Sequence, residues 1–324
     1  KPILIVHGEP NSVFLEIFFK SFKYKKFKNP LILICSQKIL KFQMKKLKFK
    51  IGIKIINPSL LNKIKLNNKI INIIDINYDA DLKFQKISNK SNKYIKDCFE
   101  TSFKILKLWI TNKLINGPIS KSSFLNKKYL GITEYLAKET KSKQNAMLIY
   151  NRKLSVCPIT THLPLKSVVK NITKEKIIKK ISLIDSFYNK YLGFKPKIAL
   201  LGLNPHCESV HKFNEDEKIL KPCIKYLSNK KINIKGPYSA DTAFLKKNRR
   251  NIDVVVGMYH DQVLTPIKTL YEYDAINITL GLPFIRISPD HGPNQKMLGQ
   301  NKSNPLSLIR AIEFLEKNWL KQKK

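Results

Sequence analysis

Six histidines occur in the 324 residues: His7, His162, His206, His211, His260 and His291. Three of them close apolar runs, "CPITTH" at His162, "LLGLNPH" at His206 and "VGMYH" at His260. If those runs are strands of an open parallel sheet, their carboxyl ends line the ligand crevice. Three imidazoles delivered there suit one divalent metal ion, with positions left open for substrate. A single His in such a place is more often a turn residue than a ligand. Three in the same topological position strengthen the metal reading. The spacing leaves open whether they meet and which ion they hold.

Cations and an amide follow in the same stretch. Arg286 closes "GLPFIR", Lys268 lies eight residues past His260, and Asn277 sits inside "INITLG". Such groups suit a phosphate or carboxylate substrate. Arg286 carries more weight than Lys268, because lysine is everywhere in this chain. In "GPYSADTAF", Asp241 is placed either to bind cofactor hydroxyls or to cap a helix. No GxGxxG or Walker A sequence occurs, so a usual Rossmann or P-loop reading has no support. No GxSxG appears either.

These residues need elements to position them. Strand candidates are 2–8, 30–36, 71–76, 154–162, 197–206, 252–260 and 275–285. Between them lie amphipathic stretches. "TKEKIIKKISLIDSFYNKYLG" (173–193) has helical spacing, Thr173 as N-cap and Gly193 just past its end. "NEDEKILKPCIKYLSNKK" (214–231) opens on Asn and acids, and 303–324 places Pro305 near the first turn and ends in cations. Alternating strands and helices imply an α/β fold with a largely parallel sheet. The length suits two domains: 1–125 with 293–324, and 126–292, which holds nearly all the chemistry-bearing residues.

Composition narrows the class. Apolar residues make up 43% and mean hydropathy is −0.25, and no stretch of 18 apolar residues marks a membrane span. The opening "KPILIVHGEP" lacks the apolar run of a secretory leader, so none is expected. Formal net charge is +38, yet only five of the 61 basic residues are Arg. Lys, Asn and Ile abound together, as the codons of an AT-rich, reduced bacterial genome would give. Nucleic-acid sites favour the planar fork of Arg, so no nucleic-acid partner is expected. Five irregularly spaced cysteines fit reduced thiols and a cytoplasmic protein.

Six motifs in fixed order carry a resemblance: "TTHLPL" (160–165), "GLNPH" (202–206), "GPYSADTAF" (236–244), "MYHDQ" (258–262), "NITLGLPFIR" (277–286) and "DHG" (290–292). With "HGEP" and "ITEYLA" (132–137), they resemble the 4-hydroxythreonine-4-phosphate dehydrogenases of vitamin B6 biosynthesis. The resemblance implies two α/β/α domains like those of isocitrate and isopropylmalate dehydrogenases, which bind NAD without a usual Rossmann loop, and an active site in the interdomain cleft. It implies a homodimer with that site at the interface. One divalent ion (Zn, Mg or Co) would be held by His162, His206 and His260. A small phosphorylated amino-acid substrate would meet Thr133, Lys268, Asn277 and Arg286. Asp241 would touch cofactor or substrate. NAD or NADP would oxidise 4-phosphohydroxy-L-threonine to a 3-amino-2-oxo-4-phosphobutanoate-type product, which decarboxylates to 3-amino-2-oxopropyl phosphate.

The chain departs from the family in places. Ile132 stands where the family has a substrate-binding His. Glycines of the opening loop are lost in "GEPNSVFLE", as are those after "NPH" in "NPHCESVHKF", and Val263 replaces the Gly after "MYHDQ". Glycines permit positive φ and close backbone approach, so these loops are expected to differ and to be degrading. Two alternatives stay open: the same chemistry on another phosphorylated hydroxy acid or a dihydrodiol, and a degenerate inactive homologue.

Overall fold

The structure, a computed structural model, describes residues 1–120, 122–125, 129, 131–209 and 213–317. It divides into two compact units, Lys1–Tyr135 with Pro283–Lys317, and Leu136–Leu282.

The first unit holds β1 (Ile3–Val6), β2 (Leu31–Cys35), β3 (Ile53–Ile55), β4 (Ile71–Asp75) and β5 (Lys113–Asn116). The second holds β6 (Ala146–Tyr150), β7 (Ser155–Pro158), β8 (Ile198–Leu201), β9 (Ile234–Tyr238), β10 (Val254–Gly257) and β11 (Ile276–Leu280). The chain then returns to the first unit with β12 (Ile285–Pro289).

In the first unit the strand order is β3-β4-β2-β1-β5-β12, parallel throughout. The sequences "ILIV" and "LILIC" are buried at every position. Such unbroken apolar runs are what a parallel sheet covered on both faces requires. The helix Leu306–Glu316 packs on the helix Phe14–Tyr24 and on β12 and β5. The cationic end expected for this last helix lies beyond Lys317, outside the described residues.

In the second unit the order is β11-β6-β7-β10-β8-β9. β7, β10, β8 and β9 run parallel, while β6 is antiparallel to both β11 and β7. The helix Lys174–Phe187 buries Ile177, Ile181 and Ile184, one apolar stripe at helical spacing. Thr173 caps it, its hydroxyl accepting from Lys176 N at 3.3 Å, and Gly193 closes the following turn at φ +79°.

One expected strand is two. The run 275–285 splits into β11 and β12 around Gly281, which has φ +87°. β11 pairs with β6, whereas β12 pairs with β5 of the first unit, Arg286 opposite Leu114. Ile132, Thr133 and Arg286, all inside the motif-rich stretch 126–292, therefore belong to the first unit. Tyr135 packs edge-on against Phe99 at 5.6 Å and Phe124 at 5.3 Å, which ties the start of its helix there.

Candidate active site

β7, β10 and β8 are neighbours, and they end nearly level: Gly257 pairs with Pro158, and Val256 with Leu200. Three adjacent parallel strands thus release their chains at one edge, the place where open α/β sheets bind ligands. The three candidate histidines lie in these exits, past the strands rather than at their last residues. β7 ends at Pro158 before His162, β8 at Leu201 before His206, and β10 at Gly257 before His260. His260 opens the helix His260–Tyr271.

The rings of His162 and His260 come together, their centroids 5.8 Å apart and their planes at 41°. His260 Nδ1 is 2.6 Å from Asp261 Oδ1. A carboxylate on one ring nitrogen fixes the tautomer and leaves Nε2 for a ligand. Two imidazoles sharing a tetrahedral ion at about 2.1 Å from each nitrogen have centroids roughly 5–6 Å apart. The pair fits two positions of a divalent-metal site. Among the described residues of one chain, no group of three or more His, Cys, Asp or Glu side chains is placed to hold an ion. His206 is exposed, with a left-handed backbone at φ +54°.

The exits of β8 and β10 are tied by a side chain the motif reading passed over. Gln262 Oε1 accepts from Met258 N at 2.6 Å, and its Nε2 donates to Gly202 O at 2.8 Å. Two glycines make room. A Cβ on Gly257 would lie 2.8 Å from Gln262 Oε1, and one on Gly202 would lie 2.8 Å from Asp216 Oδ1. Thr160 N and Oγ1 both donate to Met258 O, at 3.1 and 2.8 Å, binding the β7 exit to the β10 exit. Val263 is helical, not part of a loop. It is fully buried in a cluster with Met147, Ile149, Val255 and Ile267. It fills the core, and the expectation that it lies in a loop is corrected.

Arg286 is fully buried on β12, and its Nε donates to Asn116 Oδ1 at 2.7 Å. Burial pulls the guanidinium down to about 9, opposed by the field of Glu134, so it stays charged at neutral pH. Thr133 is buried in the first turn of the helix Ile132–Glu139, beside the half-buried Ile132. Lys268 is half-buried two turns beyond His260 in the same helix. Asn277 lies on β11 opposite Ile149, its side-chain oxygen buried and without a hydrogen-bond partner among the described residues. Asp241 is exposed in the short helix Ala240–Ala243, and no side-chain cap bond is made there.

Residues 26–315 match the family described as Pyridoxal phosphate biosynthetic protein PdxA. The chain belongs to the PdxA family. Its curated relatives include a 4-hydroxythreonine-4-phosphate dehydrogenase of Sulfurihydrogenibium sp., 39% identical over 318 residues and 96% of each chain. Another is a D-threonate 4-phosphate dehydrogenase of Salmonella typhimurium, 30% identical over 97% of this chain and 98% of that one. The crystal structure of 4-hydroxythreonine-4-phosphate dehydrogenase from Klebsiella pneumoniae superposes with a TM-score of 0.83 at 28% identity, covering 98% of this chain and 97% of that one. Isocitrate dehydrogenase from Methylococcus capsulatus shares the fold alone, with a TM-score of 0.52 at 9% identity over 97% of this chain and 85% of that one. PdxA relatives named as dehydrogenases place the chain among the oxidoreductases of pyridoxal phosphate biosynthesis.

Proposed function

We propose that the chain oxidises 4-phosphohydroxy-L-threonine with NAD or NADP, the keto acid formed then losing CO2 to give 3-amino-2-oxopropyl phosphate. The observation that carries this reading is the His162–His260 pair at the exits of adjacent parallel strands, in a chain of the PdxA family. His162, His206 and His260 hold the divalent ion. When bound, the ion supplies Lewis acidity at the alcohol being oxidised, and the nicotinamide supplies the hydride acceptor.

The chain's own residues do the rest. Asp261 keeps the His260 ring oriented with its proton on Nδ1. Arg286, charged and withheld from water, binds the substrate phosphate together with Lys268 and Thr133. That distant anchor lets binding energy position the reacting carbon. The buried oxygen of Asn277 is an acceptor for a substrate hydroxyl or ammonium group. Asp241 serves substrate or cofactor. The functional unit is a homodimer, with the active site at its interface.

The test is NADH formation from 4-phosphohydroxy-L-threonine, with and without a chelator. Turnover that a chelator abolishes and Zn2+, Mg2+ or Co2+ restores is expected. No turnover under any of these metals would overturn the reading. D-threonate 4-phosphate is the second substrate to assay. It is suggested by the relative of that name, and Ile132 leaves another phosphorylated substrate open. Faster turnover of it would reassign the substrate within the same chemistry.

A further inference from the structure

Asp216 is fully buried in a chain whose acids number only 23. It is not one of the three candidate ligands, and as one of the acids of "NEDEK" it reads simply as a helix-start residue. Its contacts are otherwise. Oδ1 accepts from Leu203 N at 2.8 Å, and Oδ2 accepts from Asn204 N at 3.1 Å and Asn204 Nδ2 at 2.9 Å. Both oxygens are thereby spent on the turn that leaves β8. Glu215 Oε2 takes the Asn204 amide as well, at 3.1 Å.

The turn so held is the one that carries His206. Pro205 follows Asn204 at once, and His206 and Cys207 then take left-handed backbones, φ +54° and +62°. Two such residues in succession, neither glycine, are strained and persist only where the surroundings over-determine them. The determinants are visible on both sides. Upstream stand the carboxylate of Asp216 and the Gln262 bond to Gly202 O, 2.8 Å. Downstream, Cys207 N closes on Asn204 O at 3.0 Å. Gly202 is the complement: a Cβ there would lie 2.8 Å from Asp216 Oδ1 and 2.6 Å from Cys207 Sγ.

We infer that Asp216 is the positioning residue for His206. Its carboxylate clamps the Leu203–Asn204 backbone so that the next turn can present an exposed imidazole from a strained conformation. The inference rests on the proposed reading of His206 as a metal ligand. Loss of the clamp lets the turn relax to ordinary right-handed φ, and the imidazole moves away from the ion. Partners that orient a ligand in this way are worth about 10- to 100-fold in metal affinity.

The experiment titrates Co2+ alone into full-length protein freed of metal, following absorbance, with thermal midpoint and amide exchange at Leu203 and Asn204 measured on the same samples. In folded Asp216→Asn, those two amides are expected to exchange faster and Co2+ affinity to fall by about tenfold or more. If Asp216→Asn does not fold, Asn204→Ala, which removes only the side-chain bonds to the two acids, is expected to lower affinity in the same direction. His206→Ala is the control for the reading itself. If it loses Co2+ affinity while both other variants, folded, bind as the parent does, the positioning role of Asp216 is overturned and the ligand reading stands. If His206→Ala binds as the parent does, the ligand reading fails and takes the inference with it.

Discussion

Gln262 donates its side-chain amide to the carbonyl of Gly202, 2.8 Å away across the exits of two neighbouring strands. With its oxygen on Met258 N, one side chain spans the loops that lead to His206 and His260. Gln262→Ala removes both bonds and leaves their backbone partners unsatisfied, which costs about 1–3 kcal/mol each where they are buried. Gln262→Glu is the sharper probe. It keeps the acceptor for Met258 N but sets a carboxylate oxygen against Gly202 O. A protonated carboxyl has an O–H that restores the donor. The Glu variant is therefore expected to lie further below the parent in thermal midpoint at pH 8 than at pH 5. Equal deficits at both pH values would show that the Gly202 bond contributes little.

Val263 is expected to be a stabilising residue, although the family carries Gly there. It is fully buried, and its Cγ1 stands 2.5 Å from where a Cβ on Gly257 would be. Val263→Gly removes a buried side chain worth about 1.5–3 kcal/mol and adds the difference in helix propensity between Val and Gly, about 0.3–0.5 kcal/mol. Urea unfolding should show a loss of about 2–4 kcal/mol, with no gain in turnover. A more active or equally stable Val263→Gly would instead mark Val263 as a site of decay.

The strands behind the candidate site were legible in the residues before the fold was known, and the limits have physical causes. β7, β8 and β10 are short apolar runs, and their order sets side by side the chain exits that lead to His162, His206 and His260, of which His162 and His260 meet. The runs overreached, because alternation cannot show where pairing stops. The helix starting at His260 declares itself only through Val263 and Ile267, four apart and both buried. β9, "IKGPY", hides behind Gly and Pro, which argue against a strand but are tolerated at the end of a sheet. The split of 275–285 was signalled by Gly281-Leu282-Pro283 within a run longer than an ordinary strand. Gln262, though inside "MYHDQ", and Asp216, though among the acids of a helix start, gave no sign of these roles, since their value lies in contacts to backbone 60 and 12–13 residues away.

Arg286 should be needed for the phosphate and not replaceable by Lys. Its guanidinium is fully buried, and its Nε is committed to Asn116 Oδ1 at 2.7 Å, which fixes the plane of the fork. A lysine offers a point charge with no such anchor. Loss of a charge-assisted bond costs about 1.5–3 kcal/mol. Arg286→Lys is therefore expected to raise KM for the phosphorylated substrate about 10- to 100-fold, with kcat less affected. An unchanged KM in a folded variant would remove Arg286 from the phosphate site.

His7 makes stability depend on pH. It is fully buried, and Nδ1 lies 2.8 Å from the hydroxyl of Tyr94. That hydroxyl also accepts from Ser36 N at 3.1 Å and bonds the Cys98 side chain. Phe14 stacks at 6.3 Å, and burial pushes the imidazole down to about 3. An unfolded histidine titrates near 6.5. Above that pH neither state is protonated at His7, and the residue adds no slope. As pH falls from about 6.5 toward 3, the unfolded chain takes up a proton that the native chain refuses, and stability falls by about 1.4 kcal/mol per pH unit. His7→Gln keeps an acceptor for Tyr94 and cannot titrate. Between pH 6.5 and 5 its unfolding free energy should fall less steeply than that of the parent, by up to one proton's worth, or about 2 kcal/mol over the interval. Parallel pH profiles of the two proteins, measured by urea unfolding at matched salt, would show that His7 is protonated in the folded state after all.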